Sequence, residues 1–159
     1  MFGFLKSPAL SPRLHRLKHS ALFATLTPLE LSIVDGLMHE RCYLADEVIF
    51  DEGDEGQALY LIMAGEVVIR RNAEHDGEVL AQMSTGSFFG DLALLDNSRR
   101  SAQARALENC ELAVFFRADF MALMETDAVI GYKIALALAR HIASRLRDTM
   151  AGIPHAEVL

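Results

Sequence analysis

The chain has 159 residues, of which 52% are hydrophobic, and its formal net charge at pH 7 is −7. A chain of this length fits one domain, which would bury about 70% of the surface of the unfolded chain. The acidic balance argues against a general nucleic-acid-binding protein, which needs a basic field, and no hydrophobic run reaches the length of a membrane span.

The first part of the chain, residues 1–40, is predicted to be helical. Thr27, Pro28 and Glu30 form a helix start: an N-cap, a proline at the first position and a capping-box glutamate. Apolar residues follow at the helical period: Leu31, Ile33, Val34, Leu37 and Met38. An earlier group indicates another apolar helical face: Leu14, Leu17, Leu22 and Phe23.

Residues 41–116 show the short runs and glycine-marked turns that are typical of β structure. The predicted strands are residues 48–50, 58–63, 66–71, 78–83, 101–107 and 111–116. The turn signals between them are Gly53-Asp54, Ala64-Gly65, Asp76-Gly77 and Asn109. Many short strands joined by such turns favour a small sandwich or barrel. The expected architecture is therefore a β-roll flanked by helices.

Residues 117–150 are predicted to be helical again, and residues 151–159 form a tail. A long helix starts at about Asp127 and is ended by Gly152 and Pro154. Its apolar stripe is Ile130, Ile134, Leu138, Ile142 and Leu146. The 3–4 spacing also suits the seam of a homodimer. The basic residues of this helix, predicted mainly to form a solvated charged face, are Lys133, Arg140, His141, Arg145 and Arg147.

Residues 86–102, GSFFGDLALLDNSRRSA, combine the features that bind a phosphate in an apolar pocket. Gly90 lets the backbone take a positive φ or approach a ligand closely. Residues 91–95 can then start a helical turn, whose first N–H groups and dipole favour an anion. Arg100 supplies a planar fork for two phosphate oxygens, and Ser101 adds a hydroxyl beside it.

This segment resembles the phosphate-binding cassette of the cyclic nucleotide-binding domain family, of the catabolite activator protein and cAMP-dependent kinase regulatory subunit type. The family pattern reads F-G-E-L-A-L-L, three variable residues and P-R-x-A. The matching residues are Phe89, Gly90, Leu92, Ala93, Leu94, Leu95, Arg100 and Ala102. Asp91 replaces the family glutamate, and Arg99 replaces the proline, as in some bacterial members. With the hairpins before it, the resemblance covers residues 22–150.

The resemblance implies an α+β fold. The expected core is an antiparallel, jelly-roll-like β-roll of about eight strands, flanked by N-terminal helices and a C-terminal helix pair. All segments would then form one cyclic nucleotide-binding domain, with the last helix acting as a lid. Arg145 of that helix would be placed to stack on a purine.

The resemblance also implies a cyclic mononucleotide ligand. Its expected contacts are Phe89, Gly90, Asp91, Leu92, Ala93, Arg100, Ser101, Ala102, Gln103 and Arg145. The phosphate would dock on the amides of residues 90–93, on Arg100 and on Ser101, while Asp91 accepts from the ribose hydroxyl. Gln103 stands where some members carry a serine or threonine associated with guanine preference, which favours cAMP over cGMP.

Several of these residues also have purely structural interpretations. Asp91 is favourable at a helix N-terminus without any ligand. Phe88 and Phe89 suit core positions better than base-stacking positions. Arg99 should face solvent if Arg100 faces inward, since neighbours in an extended segment point in opposite directions.

No catalytic or metal-binding residues are predicted, and no cofactor. The six histidines show no HxH or HExxH arrangement, and we find no credible nucleophile–base pair. Cys42 and Cys110 lack CxxC spacing and are predicted to be two buried thiols of a reduced, cytoplasmic protein.

The expected function is a regulatory module that senses a cyclic nucleotide. The chain ends at Leu159, too soon for a following helix-turn-helix domain, so we expect the output to be an unidentified partner protein or the chain's own dimerisation, without direct contact to nucleic acid. The alternative is a ligand-independent interaction module with the same fold. Arg100 argues against that alternative, because a buried arginine without an anion is unfavourable.

Overall fold

The computed structural model describes residues 10–75 and 77–152, and within them a β-roll lies between helices from both ends of the chain. The strands are β1 (His39–Tyr43), β2 (Val48–Phe50), β3 (Ala58–Ala64), β4 (Val67–Arg71), β5 (Glu78–Met83), β6 (Phe88–Phe89), β7 (Gln103–Ala106) and β8 (Cys110–Phe116). The helices are α1 (Pro12–His19), α2 (Pro28–Leu37), α3 (Arg117–Thr126) and α4 (Ala128–Met150), with a 3-10 turn at Asp91–Leu94.

The strands of the described residues form two four-stranded antiparallel sheets. One sheet has the order β1-β8-β3-β6 and the other the order β2-β7-β4-β5. Alternation along β3 separates two cores: Leu59 and Leu61 pack against the helices, whereas Ile62 points into the roll. The predicted antiparallel roll of eight strands with helices at both ends is confirmed.

The predicted starts of the two main helices are confirmed by their caps. Thr27 Oγ1 accepts from the Glu30 amide at 3.3 Å, and Glu30 Oε1 accepts from the Thr27 amide at 3.1 Å. Asp127 Oδ1 accepts from the Ile130 amide and starts α4. Lys133 Nζ lies 2.6 Å from Glu30 Oε1, so the first half of α4 is tied to α2. Among the described residues, no helix is both long enough and apolar enough to cross a membrane.

The N-terminal region is less helical than predicted. α1 ends at His19, and β1 already begins at His39. Leu22 and Phe23 are buried in tight turns rather than on a helix. These turns close by i→i+3 bonds, such as that from the Phe23 amide to the Ser20 carbonyl, and so bury apolar side chains without a regular helix.

The prediction of two buried thiols was wrong for one cysteine. Cys110 is buried on β8, a strand inside its sheet, but Cys42 is exposed. Cys42 lies on β1, which is an edge strand with mostly exposed residues. Neighbouring apolar residues in the sequence therefore do not show which strands lie at an edge.

The stripe predicted as a dimer seam on α4 mostly covers the domain itself. Ile130, Ile134 and Leu138 are fully buried in the core against the other helices. Leu146, further along the same stripe, is 59% exposed. The buried half of this stripe is therefore not available to a second copy.

Some predictions fall where the structure describes nothing. Residues 1–9, the turn at Asp76 and the tail from residue 153, including Pro154, lie outside the described residues. α4 ends at Met150, and Gly152 takes a φ of +73°, in agreement with the predicted end of the helix.

Candidate functional site

The cassette begins where β6 ends, at a glycine in the left-handed region. Gly90 has φ +72° and ψ 20°, and the 3-10 turn Asp91–Leu94 follows directly. A Cβ on Gly90 would lie 2.6 Å from Arg100 Nη1 and 3.2 Å from the Ala58 oxygen. Glycine is required here twice, by the backbone conformation and by the approach of the arginine.

Arg100 is buried beneath this turn, with 7% of its surface exposed. Nη2 donates to the Ala58 carbonyl at 2.7 Å, and Nη1 donates to the Gly90 carbonyl at 3.2 Å. The guanidinium carbon lies 4.1 Å from the ring centroid of Phe50 and 5.7 Å from that of Tyr60. The carbonyls and aromatic faces hold the fork in place.

The electrostatics of Arg100 are incomplete among the described residues. Its Nε is buried without a hydrogen-bond partner. Burial lowers the pKa of Arg100, although Tyr60, Asp54 and Asp91 act in the opposite direction. A buried guanidinium is stabilised when an anion binds it. The site therefore has the chemistry to accept an anion such as a phosphate.

Asp91, the first residue of the turn, is fully buried. Its Oδ2 accepts from Arg145 Nη2 at 2.5 Å, while Oδ1 is buried with no hydrogen-bond partner in the described structure. Burial raises the pKa of Asp91 from its ordinary value of 3.8, although Arg145 and His141 act in the opposite direction. One carboxylate oxygen is thus available for a donor such as a hydroxyl.

The second half of α4 lies against the cassette through residues four apart on one face. Arg145 reaches Asp91, and the His141 ring lies 4.6 Å from that of Phe88. Arg145 in this structure therefore contacts the carboxylate. The prediction of a solvated charged face was wrong for Arg145 and Lys133, since both form ion pairs with only partly exposed side chains. The basic residues of α4 that are exposed are Arg140 and Arg147.

Phe89 lies in the interior of the roll. It is fully buried, stacks on Tyr60 at 5.3 Å with an interplanar angle of 7°, and contacts Phe50 at 5.9 Å. The core interpretation of Phe89 is confirmed. The rings of Phe50 and Tyr60, which pack on Phe89, also face Arg100. Phe89 therefore helps to position the two rings that contact the guanidinium.

The other predicted cassette residues surround the turn in different environments. Ala93 and Ala102 are buried, Leu92 is half-buried and Ser101 is exposed. Arg99 is exposed and donates to the Gly53 carbonyl at 2.9 Å. Arg99 and the buried arginine beside it point in opposite directions, as predicted.

Gln103 is not brought to the site. Ala102, Ala104 and Ala106 pack inside the roll, so Gln103 lies on the opposite face of the strand. Its Nε2 donates to Asp51 Oδ1 at 2.6 Å, and its Oε1 accepts from a neighbouring arginine at 3.3 Å. In this structure Gln103 therefore lies apart from the residues around the cassette turn, and its position gives no support for adenine over guanine.

Three residues of the site were not predicted from the sequence. Phe50 and Tyr60 lie in predicted strands, where an aromatic residue is most simply a core residue. Arg117 starts α3, and its Nη1 bonds the carbonyls of Ala93 and Asp96 in the cassette. No local pattern marks that arginine, because its partners lie more than twenty residues away.

Comparisons with known proteins agree with this geometry. The family model of the cyclic nucleotide-binding domain matches residues 40–127. The chain is 37% identical over 127 residues to the Cyclic AMP receptor protein of Thermus thermophilus, over 79% of this chain and 59% of that protein. The chain thus spans less than two thirds of that relative's length.

Solved structures share the fold. The catabolite activator protein of Thermus thermophilus has a TM-score of 0.76 at 36% identity, over 84% of this chain and 62% of that one. The regulatory domain of Toxoplasma gondii PKA, crystallised with cAMP, has a TM-score of 0.63 at 31% identity, over 69% of this chain and 42% of that one. Since the family model matches more than half of the residues, the chain belongs to the cyclic nucleotide-binding domain family.

Proposed function

We propose that this domain binds a cyclic mononucleotide at the cassette, with cAMP preferred over cGMP, and that binding regulates a partner. The observation that carries the proposal is Arg100, a buried cation with an unpartnered Nε beneath a turn that begins at Gly90. A singly charged cyclic phosphate would supply the missing anion. The first amides of the turn would add donors that lack partners within it.

The two halves of the ligand would be bound by different groups. The phosphate would lie against Arg100, the Ser101 hydroxyl and the amides of residues 90–93, although the Ala93 amide already donates to the Gly90 carbonyl at 3.3 Å. The ribose hydroxyl would donate to Asp91 Oδ1, the oxygen that Arg145 leaves unpartnered. Each of these bonds involves an ionised group, which makes them stronger than bonds between neutral partners.

The preference for cAMP rests on relatives rather than on a base contact. The Thermus thermophilus relative is a Cyclic AMP receptor protein, and the Toxoplasma gondii domain was crystallised with cAMP. The direct test is an equilibrium titration with a fluorescent cAMP analogue, followed by competition with cAMP, cGMP and linear AMP. Displacement by cAMP at lower concentrations than by cGMP or AMP supports the proposal. Equal displacement by AMP contradicts recognition of the cyclic phosphate.

Regulation would follow from the contact between Asp91 and α4. A hydroxyl that bonds Oδ1 changes the charge environment of the carboxylate that Arg145 holds, so it changes how firmly α4 stays on the cassette. Ligand binding and the position of α4 are then linked, and each affects the other. A partner that contacts α4 would respond to the ligand in the same way.

One such partner is a second copy of this chain. α4 carries another row at the 3–4 spacing, which lies on a different side from the buried residues Ile130, Ile134 and Leu138 and includes Leu146, the exposed end of the predicted stripe. The row is Val129, Tyr132, Leu136, Ala139, Ala143, Leu146 and Met150. Four of its large side chains are more than half exposed: Val129, Tyr132, Leu146 and Met150. An apolar row of this length is favoured to be covered by another helix. The proposed homodimer therefore uses this row, and an effector protein is the alternative occupant.

A ligand-independent interaction module stays as the second candidate, on two observations. The buried carboxylate of Asp91 already has a counterion in Arg145, and two nitrogens of Arg100 already have carbonyl partners. The fold is therefore compatible with an empty site. Absence of binding to both cyclic nucleotides, with dimerisation unchanged, would favour this candidate.

A further inference from the structure

We infer that Arg117 is a positioning residue. Its bonds to backbone carbonyls hold the cassette in the conformation that binds the ligand and connect the cassette to α3. The inference deepens the proposed function and rests on it for the ligand. Arg117 touches none of the groups assigned to the ligand and acts through the backbone of the cassette.

Arg117 lies at the junction of three segments. It is the first residue of α3, directly after β8, and its amide donates to the Gln57 carbonyl at 2.8 Å. Its Nη1 lies 3.2 Å from the carbonyl oxygens of both Gly56 and Ala93 and also bonds the carbonyl of Asp96. One guanidinium nitrogen therefore joins the loop before β3, the cassette and α3.

The two cassette carbonyls belong to the C-terminal end of the 3-10 turn. Ala93 is the third of the turn's four residues, and Asp96 comes directly after the C-cap residue Leu95. Carbonyls at the end of a helical turn lack partners within the turn and carry partial negative charge, so a cation there stabilises the turn. Because the opposite end of the same turn carries the proposed phosphate-binding amides, Arg117 stabilises the orientation of those amides.

The loop that Arg117 contacts also holds Arg100. The Arg100 amide donates to the Asp54 carbonyl at 2.7 Å, and the Gly53 amide donates to the Arg100 carbonyl at 2.8 Å. A Cβ on Gly56 would lie 3.0 Å from the Ala93 Cβ and 3.6 Å from Arg100 Cζ. Loop, turn and phosphate-binding arginine are therefore in contact, and Arg117 bonds two of the three.

A displacement of the turn would reach α4 through α3. The carbonyls of Ala93 and Asp96 cannot move away without breaking their bonds to Arg117 or pulling the start of α3 with them. α3 packs tightly on α4, since a Cβ on Gly131 would lie 2.8 Å from Met124 Cα. Arg117 thus provides a second connection from the cassette to α4, besides the pair of Asp91 and Arg145.

The test compares three variants with the wild-type chain. Arg117→Gln removes the positive charge. Arg117→Lys keeps the charge but has fewer N–H donors and lacks the planar fork of arginine. Arg105→Gln is the matched control. Arg105 Nη1 also donates to a backbone carbonyl, at 2.9 Å, but that carbonyl belongs to Asp46, which lies outside the cassette. Thermal unfolding first shows that each variant is folded.

The first measurement is cAMP affinity by calorimetric titration. We expect Arg117→Gln to raise the Kd for cAMP about tenfold, as loss of a charge-assisted hydrogen bond predicts, with a smaller rise for Arg117→Lys. Arg105→Gln should leave the Kd unchanged. A wild-type Kd in Arg117→Gln, or the same rise in Arg105→Gln, overturns the inference.

The second measurement is amide hydrogen exchange, which separates positioning from general stability. Without ligand, residues 92–96 should exchange faster in Arg117→Gln than in the wild-type chain. At saturating cAMP, exchange in α3 should change in the wild-type chain but much less in Arg117→Gln, whereas the cassette is protected in both. Equal changes in α3 overturn the inference.

If the wild-type chain itself does not bind cAMP, the proposed function fails. The ligand-free exchange of residues 92–96 then still decides whether Arg117 holds the turn.

Discussion

Arg145 Nη2 lies 2.5 Å from Asp91 Oδ2, so the last helix bonds the first residue of the cassette turn. Asp91 is fully buried, and its other oxygen has no partner within the described residues. One carboxylate thus combines a contact that holds α4 with the oxygen to which we assign the ribose hydroxyl of the ligand. In the proposed function, this carboxylate links ligand binding at the cassette to the position of α4.

Removal of Arg145 should destabilise the folded chain through Asp91. Arg145→Gln leaves a buried carboxylate without its cation, which should lower the free energy of unfolding by about 2–3 kcal/mol. Chemical denaturation measures the loss. Arg140→Gln, an exposed arginine of the same helix, should change stability by less than about 0.5 kcal/mol. The double variant Asp91→Asn/Arg145→Gln should recover part of the loss. Equal effects of the two single arginine changes would show that Arg145 does not stabilise the buried carboxylate.

The pH dependence of stability should carry the sign of a buried acid. Burial raises the pKa of Asp91 in the folded state above its ordinary value of 3.8, which the unfolded state keeps. Between the unfolded and the folded pKa, the folded state therefore holds a proton that the unfolded state has released. The contribution of Asp91 to stability is therefore present below the unfolded pKa and is lost as pH rises through the folded pKa.

Urea unfolding between about pH 4 and about pH 8 tests this sign. The wild-type chain should lose stability relative to Asp91→Asn as pH rises through the window. A wild-type chain that instead gains stability relative to Asp91→Asn would mean that Arg145 outweighs burial.

A methyl group at Gly90 should weaken cAMP binding, whereas a methyl group at Gly86 should not. Gly90→Ala adds a Cβ 2.6 Å from Arg100 Nη1 at a φ of +72°, which should lower stability by about 1–3 kcal/mol and raise the Kd for cAMP at least about tenfold. Gly86 also has a positive φ, +92°, but a Cβ there meets nothing within 4 Å. Gly86→Ala should therefore lower stability with little change in Kd. Equal Kd values for the two variants would show that the approach of Arg100 does not matter.

A charge in the exposed row of α4 should break the proposed homodimer. Leu146 is 59% exposed, so Leu146→Glu should leave the monomer folded while it prevents burial of the row in a dimer. Analytical ultracentrifugation should find the wild-type chain at twice its mass of 17.6 kDa and the variant at that mass. Leu29→Glu, the same change at an exposed leucine of α2, is the control and should stay dimeric. A monomeric wild-type chain, or a dimeric Leu146→Glu, contradicts the proposed interface.

The sequence predicted well those features that depend on short spacings. The capping box of Thr27 and Glu30 lies within four residues, and the turn after Gly90 needs only a residue that tolerates a positive φ. The opposite directions of Arg99 and Arg100 follow from the alternation of side chains along an extended segment. These features therefore need no knowledge of the tertiary fold.

Features that depend on tertiary contacts could not be predicted from the sequence. The direction of Gln103 depends on where β7 begins after an irregular segment, and its neighbours in the sequence do not show that point. α4 carries two apolar rows at the helical spacing, and only packing shows that Ile134 is covered by the domain while Tyr132 is not. The bonds of Arg117 join positions far apart in the chain, so no motif marks them.

Binding of a cyclic phosphate at Arg100 is tested most simply by a calorimetric titration of cAMP into the wild-type chain, Arg100→Gln and Arg99→Gln. We expect binding by the wild-type chain, a loss of about 100-fold or more in affinity for Arg100→Gln, and a nearly unchanged affinity for Arg99→Gln, whose side chain points away from the site. Wild-type affinity in Arg100→Gln, or no binding by the wild-type chain, would show that Arg100 does not bind a cyclic phosphate.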